Sequence, residues 1–413
     1  MSNICYPPGM QGVEEVLGRL LTVAADRKPA VEIAPLKELL GRVLAEDIHA
    51  GVPVPPRPNS AMDGIAFNYA DANAKGTTTL YISQRLPAGA VPRPLLPGSV
   101  ARIFTGAELP SGADSVLMQE HCIFDGDRVT FTRPAAPGQN IRPAGQDIAK
   151  GSFLLATGQR LGPAHLGLMA AVGEGDVAVY KRLSIALLCT GDELVDPGQP
   201  LPPGKIYNSN RYTLMALLQQ FGFSVLDLGM VPDKLELTKA ALQKAVKAGA
   251  DVIISTGGVS VGDEDHVKPA VEALGKIDLW KVAIKPGKPL AFGNVSGVPF
   301  IGLPGNPQSV WVTFLLLARP FLLRAQGQLS VQPTAIPVAA GFAVPKAGDR
   351  REYLRVRLVA GRQGLMLEKH ENQSSGVLSS AAWADGLALV EAGATVTPGQ
   401  ILPYLPFSSL LAG

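Results

Sequence analysis

Near the start of the chain, apolar side chains recur at helical spacing. One set predicts an amphipathic helix: Val13, Val16, Leu17, Leu20, Leu21 and Ala24. A second set predicts a helix that opens at Pro35, a residue suited to the first turn: Leu36, Leu39, Leu40, Val43 and Leu44. We therefore expect two neighbouring helices in this region.

From Gly51 onward, short apolar runs are separated by proline and glycine, a pattern typical of a β-rich unit. Strands are predicted at Leu80–Ser83, Ser99–Phe104 and Ser115–Gln119, and Asp125-Gly126 predicts a hairpin turn. A later helix is predicted from Pro163 to Gly173. We expect it to pack on the N-terminal helices, which would make the β-rich unit an insertion.

Between Leu183 and Gln326, strand and helix patterns alternate as in a doubly wound α/β unit with a parallel sheet. The predicted strands are Ser184–Cys189, Phe223–Leu228, Asp251–Ser255 and Leu279–Ile284. The predicted helices are Asn210–Phe221, one capped by Asp233 with Glu236 and ended by Gly249, one at about Glu264–Leu274, and one from Asn306-Pro307 to Arg324. The last segment, from Leu329 to Gly413, alternates apolar and polar residues, which predicts a small β-barrel or sandwich.

The composition and charge of the chain argue against several functional classes. Hydrophobic residues make up 46% of the chain and the net charge is only +2, which argues against nucleic acid as the main partner. The three cysteines, Cys5, Cys122 and Cys189, lie far apart and predict reduced thiols. We find no signal-peptide pattern, and the most apolar run falls short of the roughly 20 residues of a membrane span. We expect a soluble, cytoplasmic protein.

Polar and glycine residues collect after the predicted strands, where open parallel sheets bind ligands. Gly257-Gly258, in the run that continues to Ser260, would let the backbone approach an anion, although a tight turn explains two glycines equally well. The run is neither a P-loop nor a dinucleotide fingerprint. Lys285 and Lys288, separated by Pro-Gly, predict a pair of cations suited to an oxyanion or phosphate.

Acidic residues that follow the same predicted strands could supply oxygen ligands to a metal ion. Glu193, Asp233 and Asp265 are candidate ligands for Mg²⁺, which binds through a few carboxylates together with substrate phosphates. For Asp233, a helix cap is the alternative explanation. These residues predict an enzyme that acts on a phosphate-bearing or oxyanion substrate, with a divalent metal.

Six motifs in this order resemble the molybdopterin molybdenumtransferase family, which includes the E domain of gephyrin. They are Asn59–Gly64, Ile103–Ala107, Thr190–Leu194, Gly257–Gly262, Ile284–Pro289 and Leu303–Pro307. The resemblance implies an α/β multidomain fold in an elongated homodimer. It divides the chain into a helical stalk (1–50 and 143–181), an inserted β-rich domain (51–142), a molybdopterin-binding α/β domain (182–328) and a C-terminal β-barrel (329–413).

The resemblance also implies an activity. Members of the family insert molybdate into adenylylated molybdopterin with Mg²⁺ and release AMP during molybdenum cofactor biosynthesis. A separate molybdopterin adenylyltransferase and the recipient molybdoenzymes are implied partners. Two alternatives remain open: a non-catalytic scaffold of the gephyrin type, and a paralogue that inserts tungstate.

Site residues follow from the family pattern. The residues expected to hold molybdate are Lys285, Lys288, Ser309, Arg355 and Ser379. The residues expected to handle the pterin nucleotide and metal are Asp63, Thr105, Asp147, Glu193, Asp233 and Asp265. Since Asp63 and Lys285 belong to different domains, the family pattern places the cleft between two subunits.

The chain departs from the family pattern at a few positions. They are Arg57 and Pro58 before the first motif, Ile65, Gln146, Ser374 and Asp385. None of them is a residue on which the predicted site depends, so we expect them to affect fine substrate contacts and the rate.

Overall fold

A computed structural model describes residues 8–27, 29–258, 266–361 and 364–412. Its first elements are α1 (Val13–Ala25), β1 (Val31–Pro35), a 3-10 turn (Leu36–Glu38) and β2 (Ile48–His49). The helix α1 is confirmed, but the helix predicted from Pro35 is wrong. Pro35 instead ends a strand, and Gly41 turns the chain at φ +74°, so the apolar residues reach the core from turns.

The β-rich unit follows as predicted. Its elements are β3 (Asn59–Ser60), β4 (Gly64–Phe67), β5 (Thr78–Leu86), β6 (Ser99–Ile103), β7 (Ser115–Met118), β8 (Ile123–Asp125), β9 (Arg128–Phe131) and β10 (Ile141–Arg142), with 3-10 turns at Tyr69–Asp71 and Gln119–His121. The order β7-β4-β6-β5-β9-β8 forms one sheet, and β8 and β9 make the hairpin predicted at Asp125-Gly126.

The chain then returns to its first elements through β11 (Phe153–Leu155), α2 (Pro163–Ala171) and β12 (Asp176–Tyr180). Because β11 pairs with β2 and β12 pairs with β1, these pairs bracket the β-rich segment and support its description as an insertion. The predicted packing of α2 on both N-terminal segments is half right. Met169 of α2 joins a core with Leu39 and Leu44 of the second segment, whereas α1 packs on the α/β unit.

The α/β unit is built from several parallel strands and their helices. Its elements are β13 (Ser184–Thr190), β14 (Leu194–Val195), β15 (Ile206–Tyr207), α3 (Ser209–Gln220), β16 (Ser224–Val231), α4 (Leu235–Lys247), β17 (Val252–Thr256), α5 (Val267–Leu274), β18 (Gly275–Lys281), β19 (Ile284–Lys285), β20 (Pro289–Val295) and β21 (Val298–Leu303). Among the described residues, the main sheet has the order β16-β13-β17-β21-β20-β18. Its first four strands are parallel, which confirms the doubly wound prediction.

The fourth parallel strand is not the one predicted. The segment Leu279–Ile284 is divided between β18, which runs antiparallel at the sheet edge, and β19, which pairs with the barrel. The parallel strand is β21, reached from β20 by a tight turn in which Ser296 and Gly297 have φ +50° and +87°. The small residues of this turn were its sequence signal.

One continuous helical stretch follows β21, as predicted from Asn306-Pro307. It consists of α6 (Pro307–Thr313), a π turn (Phe314–Ala318) and α7 (Arg319–Ala325). Its apolar side chains are buried between the sheet and α1, in the core that also contains Leu20 and Phe321. This core fixes the start of α6 relative to the strand ends.

The last unit is a closed barrel. Its elements are β22 (Ile336–Ala340), β23 (Arg351–Gly361), β24 (Gly364–Lys369), α8 (Ser379–Trp383), β25 (Gly386–Val390), β26 (Ile401–Pro406) and α9 (Phe407–Leu410). The ring β23-β24-β22-β26-β25 closes through the pairing of β25 with β23. Of the two folds predicted for this segment, the structure therefore has the barrel and not the sandwich. Across the described ranges, no helix combines the length and apolar character needed to cross a bilayer.

Candidate functional site

A cleft of 780 Å³ opens at the carboxyl ends of the parallel strands. Its walls come from the segment after β13, the start of α3, the turn after β17, the turn after β19, the start of α6, and two segments of the barrel. The pairing of β19 with β23 brings the barrel against this edge of the sheet. The cleft therefore lies where open α/β sheets usually bind ligands.

The two glycines after β17 form a turn that packs on the end of β13. Gly257 and Gly258 have φ of +86° and +64°, a region that side chains disfavour. A Cβ at Gly257 would lie 2.4 Å from the carbonyl oxygen of Thr190, and one at Gly258 would lie 2.8 Å from its Oγ1. Both glycines line the cleft. The tight-turn explanation therefore holds, and the same turn presents backbone to the cleft.

Lys285-Pro286-Gly287-Lys288, here called the lysine turn, presents two cations to the cleft. The turn packs closely on α6 at Gly287, where an added Cβ would lie only 2.7 Å from Cγ2 of Thr313. Lys285 Nζ lies 2.8 Å from Oε1 of Glu352 on β23. Lys288 is exposed, and its ammonium group has no hydrogen bond or ion pair with any residue that the structure describes, although its carbonyl oxygen accepts from the Val282 N–H. One lysine is thus paired and the other is free for a ligand.

The start of α6 forms the floor beside the lysine turn. Ser309 lines the cleft although its residue is 4% exposed. Asn210 from α3 donates from Nδ2 to the carbonyl oxygen of Gly305 at 2.7 Å, and the Gln308 N–H donates to the carbonyl oxygen of Ser375 at 2.9 Å. Helix N-termini favour anions, so this floor and the lysines favour the same kind of ligand.

Three carboxylates close to the cleft are here called the acidic wall (Asp192, Glu193 and Asp233), and two of them, Glu193 and Asp233, line the cleft. Asp233 Oδ2 accepts from the Asp192 N–H at 3.2 Å, and Asp192 Oδ1 accepts from the Asp233 N–H at 3.0 Å. The predicted helix cap at Asp233 is wrong, because the capping position of α4 is Lys234 and the Asp233 carboxylate bonds Asp192 instead. Burial, with the charges of Asp192 and Glu193, raises the pKa of Asp233.

The acidic wall supplies two of the three predicted metal ligands. Glu193 and Asp233 both line the cleft, and the third predicted metal ligand, Asp265, lies outside the described residues, as does Ser260. Within the described ranges, no group of three His, Cys, Asp or Glu side chains is arranged to hold a metal. Carboxylate oxygens are the ligands that Mg²⁺ prefers, and Glu193 and Asp233 present them to the same cleft.

Two predicted residues lie in the barrel and do not line the cleft. Arg355 is 1% exposed, and burial lowers its pKa to about 10, so it stays protonated at neutral pH. Ser379 is exposed at the start of α8. Their predicted contact with molybdate therefore remains a prediction.

Three further predicted residues lie in or beside the inserted unit, away from the cleft lining. Thr105 donates to Asp63 Oδ1 from both its backbone N–H and its Oγ1, each at 2.8 Å. These hydrogen bonds hold the pKa of the Asp63 carboxyl below its ordinary value. Asp147 is exposed, and its N–H donates to the carbonyl oxygen of Val54. The structure thus joins Asp63 to Thr105 but joins neither to the lysine turn within one chain.

Sequence reasoning missed several residues that line the cleft. They are Asn210, Arg350, Gln373 and Ser375. Asn210 had a usable signal, because it stands in a polar run at the start of a predicted helix that follows a strand end. The barrel residues had none, since only the pairing of β19 with β23 brings them to the cleft.

Comparison with known families covers most of the chain in three parts. The MoeA N-terminal region (domain I and II) matches residues 11–173. A probable molybdopterin binding domain matches residues 186–324, and the MoeA C-terminal region (domain IV) matches residues 337–407.

Individual relatives match over nearly their whole length. The molybdopterin molybdenumtransferase of Haemophilus influenzae is 38% identical over 386 residues, covering 92% of this chain and 95% of that protein. The protein of the same name from a Nostoc species is 37% identical, covering 90% and 87%. The crystal structure of a molybdopterin biosynthesis MoeA protein from Pyrococcus horikosii is 31% identical, with a TM-score of 0.81 over 96% of this chain and 99% of that one.

Proposed function

The chain belongs to the MoeA family of molybdopterin molybdenumtransferases, and from this premise we propose that it transfers molybdenum onto molybdopterin. One observation carries the proposal: a single cleft combines the lysine turn and the start of α6 with the acidic wall. An oxyanion and a cation can therefore be bound next to each other. This arrangement favours the transferase over a scaffold, which needs neither half.

The proposed substrates are molybdate and adenylylated molybdopterin. Lys285, Lys288 and Ser309 would bind molybdate through charge-assisted hydrogen bonds. The glycine turn and Asn210 line the adjacent part of the cleft, where the pterin nucleotide would lie. In this proposal water adds across the bond between the two phosphoryl groups, so that AMP leaves and the pterin keeps its own phosphate. The two dithiolene thiols then bind the molybdenum in place of one oxygen of molybdate, which leaves as water with the two thiol protons.

Mg²⁺ is the proposed cofactor. Glu193 and Asp233, which line the cleft, would hold it, together with the predicted third ligand Asp265, because Mg²⁺ binds through a few carboxylates and substrate phosphates. When bound, the ion neutralises phosphate charge as AMP leaves. The acidic wall and the lysine turn would then hold the two reacting groups within one cleft.

We further propose a homodimer in which each cleft is completed by the other subunit. Asp63 and Thr105 form a hydrogen-bonded pair that lies outside the cleft of its own chain. Apolar side chains suitable for an interface are also exposed, since Ile33 is 68% and Leu40 is 58% exposed. In the cytoplasm, the substrate would come from a molybdopterin adenylyltransferase and the product would go to recipient molybdoenzymes.

The proposal is tested by turnover of the purified protein. Adenylylated molybdopterin and Mg²⁺ are supplied with and without molybdate, and both AMP release and molybdenum retained on the pterin are measured. We expect AMP release that depends on molybdate. Bound nucleotide without AMP release would contradict the transferase. A parallel reaction with tungstate separates the tungstate-inserting alternative, which the relatives do not favour.

A further inference from the structure

Two separate segments of the inserted unit carry the Asp63–Thr105 pair. Asp63 lies in the turn between β3 and β4, and Thr105 follows β6. The segments meet where Gly64 of β4 pairs with Ile103 of β6. The position of the carboxylate relative to the hydroxyl therefore depends on the groups that hold these two segments together.

The side chain of Arg102, on β6, contacts both segments. Its Nη1 donates to the carbonyl oxygen of Gly64, the residue after Asp63, at 3.0 Å. Its guanidinium also lies 5.1 Å from the ring centre of Phe104, the residue before Thr105. One guanidinium thus holds the chain neighbours of both members of the pair.

A further contact ties Arg102 to the backbone of Asp63 itself. Its Nη2 donates to Oε1 of Gln119 at 2.6 Å, and the Gln119 N–H donates to the carbonyl oxygen of Asp63 at 2.9 Å. The guanidinium also lies 4.5 Å from the ring centre of Phe124. Two directed hydrogen bonds and two aromatic rings therefore restrict its movement.

The positive charge of Arg102 acts in the same direction as its contacts. Among the described residues, its guanidinium forms no ion pair within hydrogen-bonding distance, so its charge is not cancelled by a carboxylate of its own. The two hydrogen bonds from Thr105 lower the pKa of the Asp63 carboxyl most, and the charge of Arg102 lowers it further. An ionised carboxylate is the form that can accept a proton during a reaction.

Arg85 offers a comparison within the same sheet. It is paired with Arg102 in the register of β5 and β6, and its guanidinium lies 4.8 Å from the same Phe104 ring. Arg85 is exposed, and its guanidinium forms no hydrogen bond or ion pair within the described ranges. Of these two arginines, only Arg102 bonds the segments that carry the pair.

We propose that Arg102 is a positioning residue for Asp63, which fixes the Asp63 turn against the Thr105 segment and acts on the reaction through this pair. This inference rests on the proposed function, in which the pair completes the cleft of the other subunit, and deepens it. It adds to the site a residue that neither lines the cleft nor belongs to the predicted set.

The test compares Arg102→Gln with the matched control Arg85→Gln in the full-length protein. In Arg102→Gln, kcat for AMP release should fall at least about tenfold, because a small displacement of a reacting group is costly. The KM for adenylylated molybdopterin should stay within about threefold, since substrate binding in the ground state is left intact. In Arg85→Gln, both values should match the wild type.

NMR titration of Asp63 gives a second readout that needs no turnover. The pKa of its carboxyl should rise in Arg102→Gln, stay near the wild-type value in Arg102→Lys, which keeps the charge, and be unchanged in Arg85→Gln. Arg102→Lys should recover only part of the lost kcat, because an ammonium group cannot reproduce the planar pair of hydrogen bonds.

Wild-type kcat in a folded Arg102→Gln variant would overturn the proposal, as would an equal loss in Arg85→Gln. A raised KM with an unchanged Asp63 pKa would also overturn it, because Arg102 would then contact the substrate directly. If Arg102→Gln does not fold, Gln119→Met releases one end of the guanidinium. Its kcat should fall about three- to tenfold, and a wild-type kcat would contradict the proposal.

Failure of this inference can be told apart from failure of the proposed function. If the wild type releases no AMP, the proposed function fails, and the titration alone decides whether Arg102 acts on Asp63. A pKa shift confined to Arg102→Gln would then sustain that action, and equal pKa values in all variants would refute it.

Discussion

The cleft and the Asp63–Thr105 pair differ in how the chain brings their residues together. The cleft collects residues from the strand ends of one sheet and from the barrel that β19 attaches to it. The Asp63–Thr105 pair is formed within the inserted unit, by a loop and a strand end joined through two hydrogen bonds of 2.8 Å. The first region is a concave, mixed-charge site, and the second is a single exposed carboxylate with a lowered pKa.

This difference shows what each region can do alone. The cleft contains cations, a helix start and carboxylates, so one chain has the groups needed to bind the oxyanion. Neither residue of the Asp63–Thr105 pair lines the cleft of its own chain. If both serve one reaction, binding should survive the loss of the pair, whereas turnover should not.

The largest expected effect comes from Asp63→Ala. Turnover should fall by at least about a hundredfold, which is typical for loss of a group that acts in the reaction. Molybdate affinity should remain at the wild-type value, because the lysine turn and Ser309, which are proposed to bind molybdate, are unchanged. Steady-state AMP release and molybdate titration on the same preparation measure both quantities. Asp71→Ala, a change at an exposed aspartate of the same unit, is the control.

Lys288→Ala tests the cleft, whereas Asp63→Ala tests the Asp63–Thr105 pair. Molybdate binding should weaken by about tenfold, because the free lysine supplies a charge-assisted contact. The unfolding temperature should stay the same, since the side chain has no partner among the described residues. Lys281→Ala, an exposed lysine of β18, serves as the control. Unchanged affinity in the Lys288 variant would remove the lysine turn from the site.

A smaller effect is expected at Glu352. Glu352→Gln removes the carboxylate that lies 2.8 Å from Lys285, so more of the lysine charge faces the cleft. Molybdate binding should become about two- to fivefold tighter, which is the range of a half-exposed ion pair. Titration at low and high salt should show that the gain shrinks as salt rises. Weaker binding would mean that Glu352 is needed to hold Lys285 in position.

The smallest effect is a shift of pKa. Thr105→Val removes one of the two hydrogen bonds to Asp63, so the pKa of its carboxyl should rise toward the ordinary value. A lowered carboxyl pKa stabilises the fold above the ordinary pKa, and this contribution is lost as pH falls through the folded value. The variant should therefore lose part of that contribution at neutral pH. Carbon-detected NMR titration of Asp63 measures the shift, and an unchanged pKa would show that the backbone bond alone sets it.

Most of the fold could be predicted because apolar spacing was unambiguous where the core is large. The parallel strands β13, β16 and β17 and the helical stretch from Pro307 are examples. The exceptions have local causes. Proline is compatible with both the start of a helix and the end of a strand. In this structure Pro35 ends a strand, because β1 pairs with β12. The tight turn at Ser296-Gly297 was overlooked, so the fourth parallel strand was misplaced.

The site residues could be predicted where charged, polar or glycine residues follow a predicted strand within a few positions. Glu193, Asp233, Gly257, Gly258, Lys285, Lys288 and Ser309 all line the cleft. Arg350 was missed because its place depends on barrel closure and on a pairing with a segment more than sixty residues earlier. No local pattern encodes such a contact. The same reason separates Arg350 from Arg355, which the residue types alone do not distinguish.

The central claim is that the cleft of one subunit works with Asp63 of the other. It is tested most directly with a heterodimer purified through two different tags. One copy carries Asp63→Ala, and the other carries Lys285→Ala together with Lys288→Ala. The account predicts about half the wild-type rate of AMP release per dimer, because one of the two clefts is then intact. A heterodimer no more active than the two mutant homodimers would contradict it.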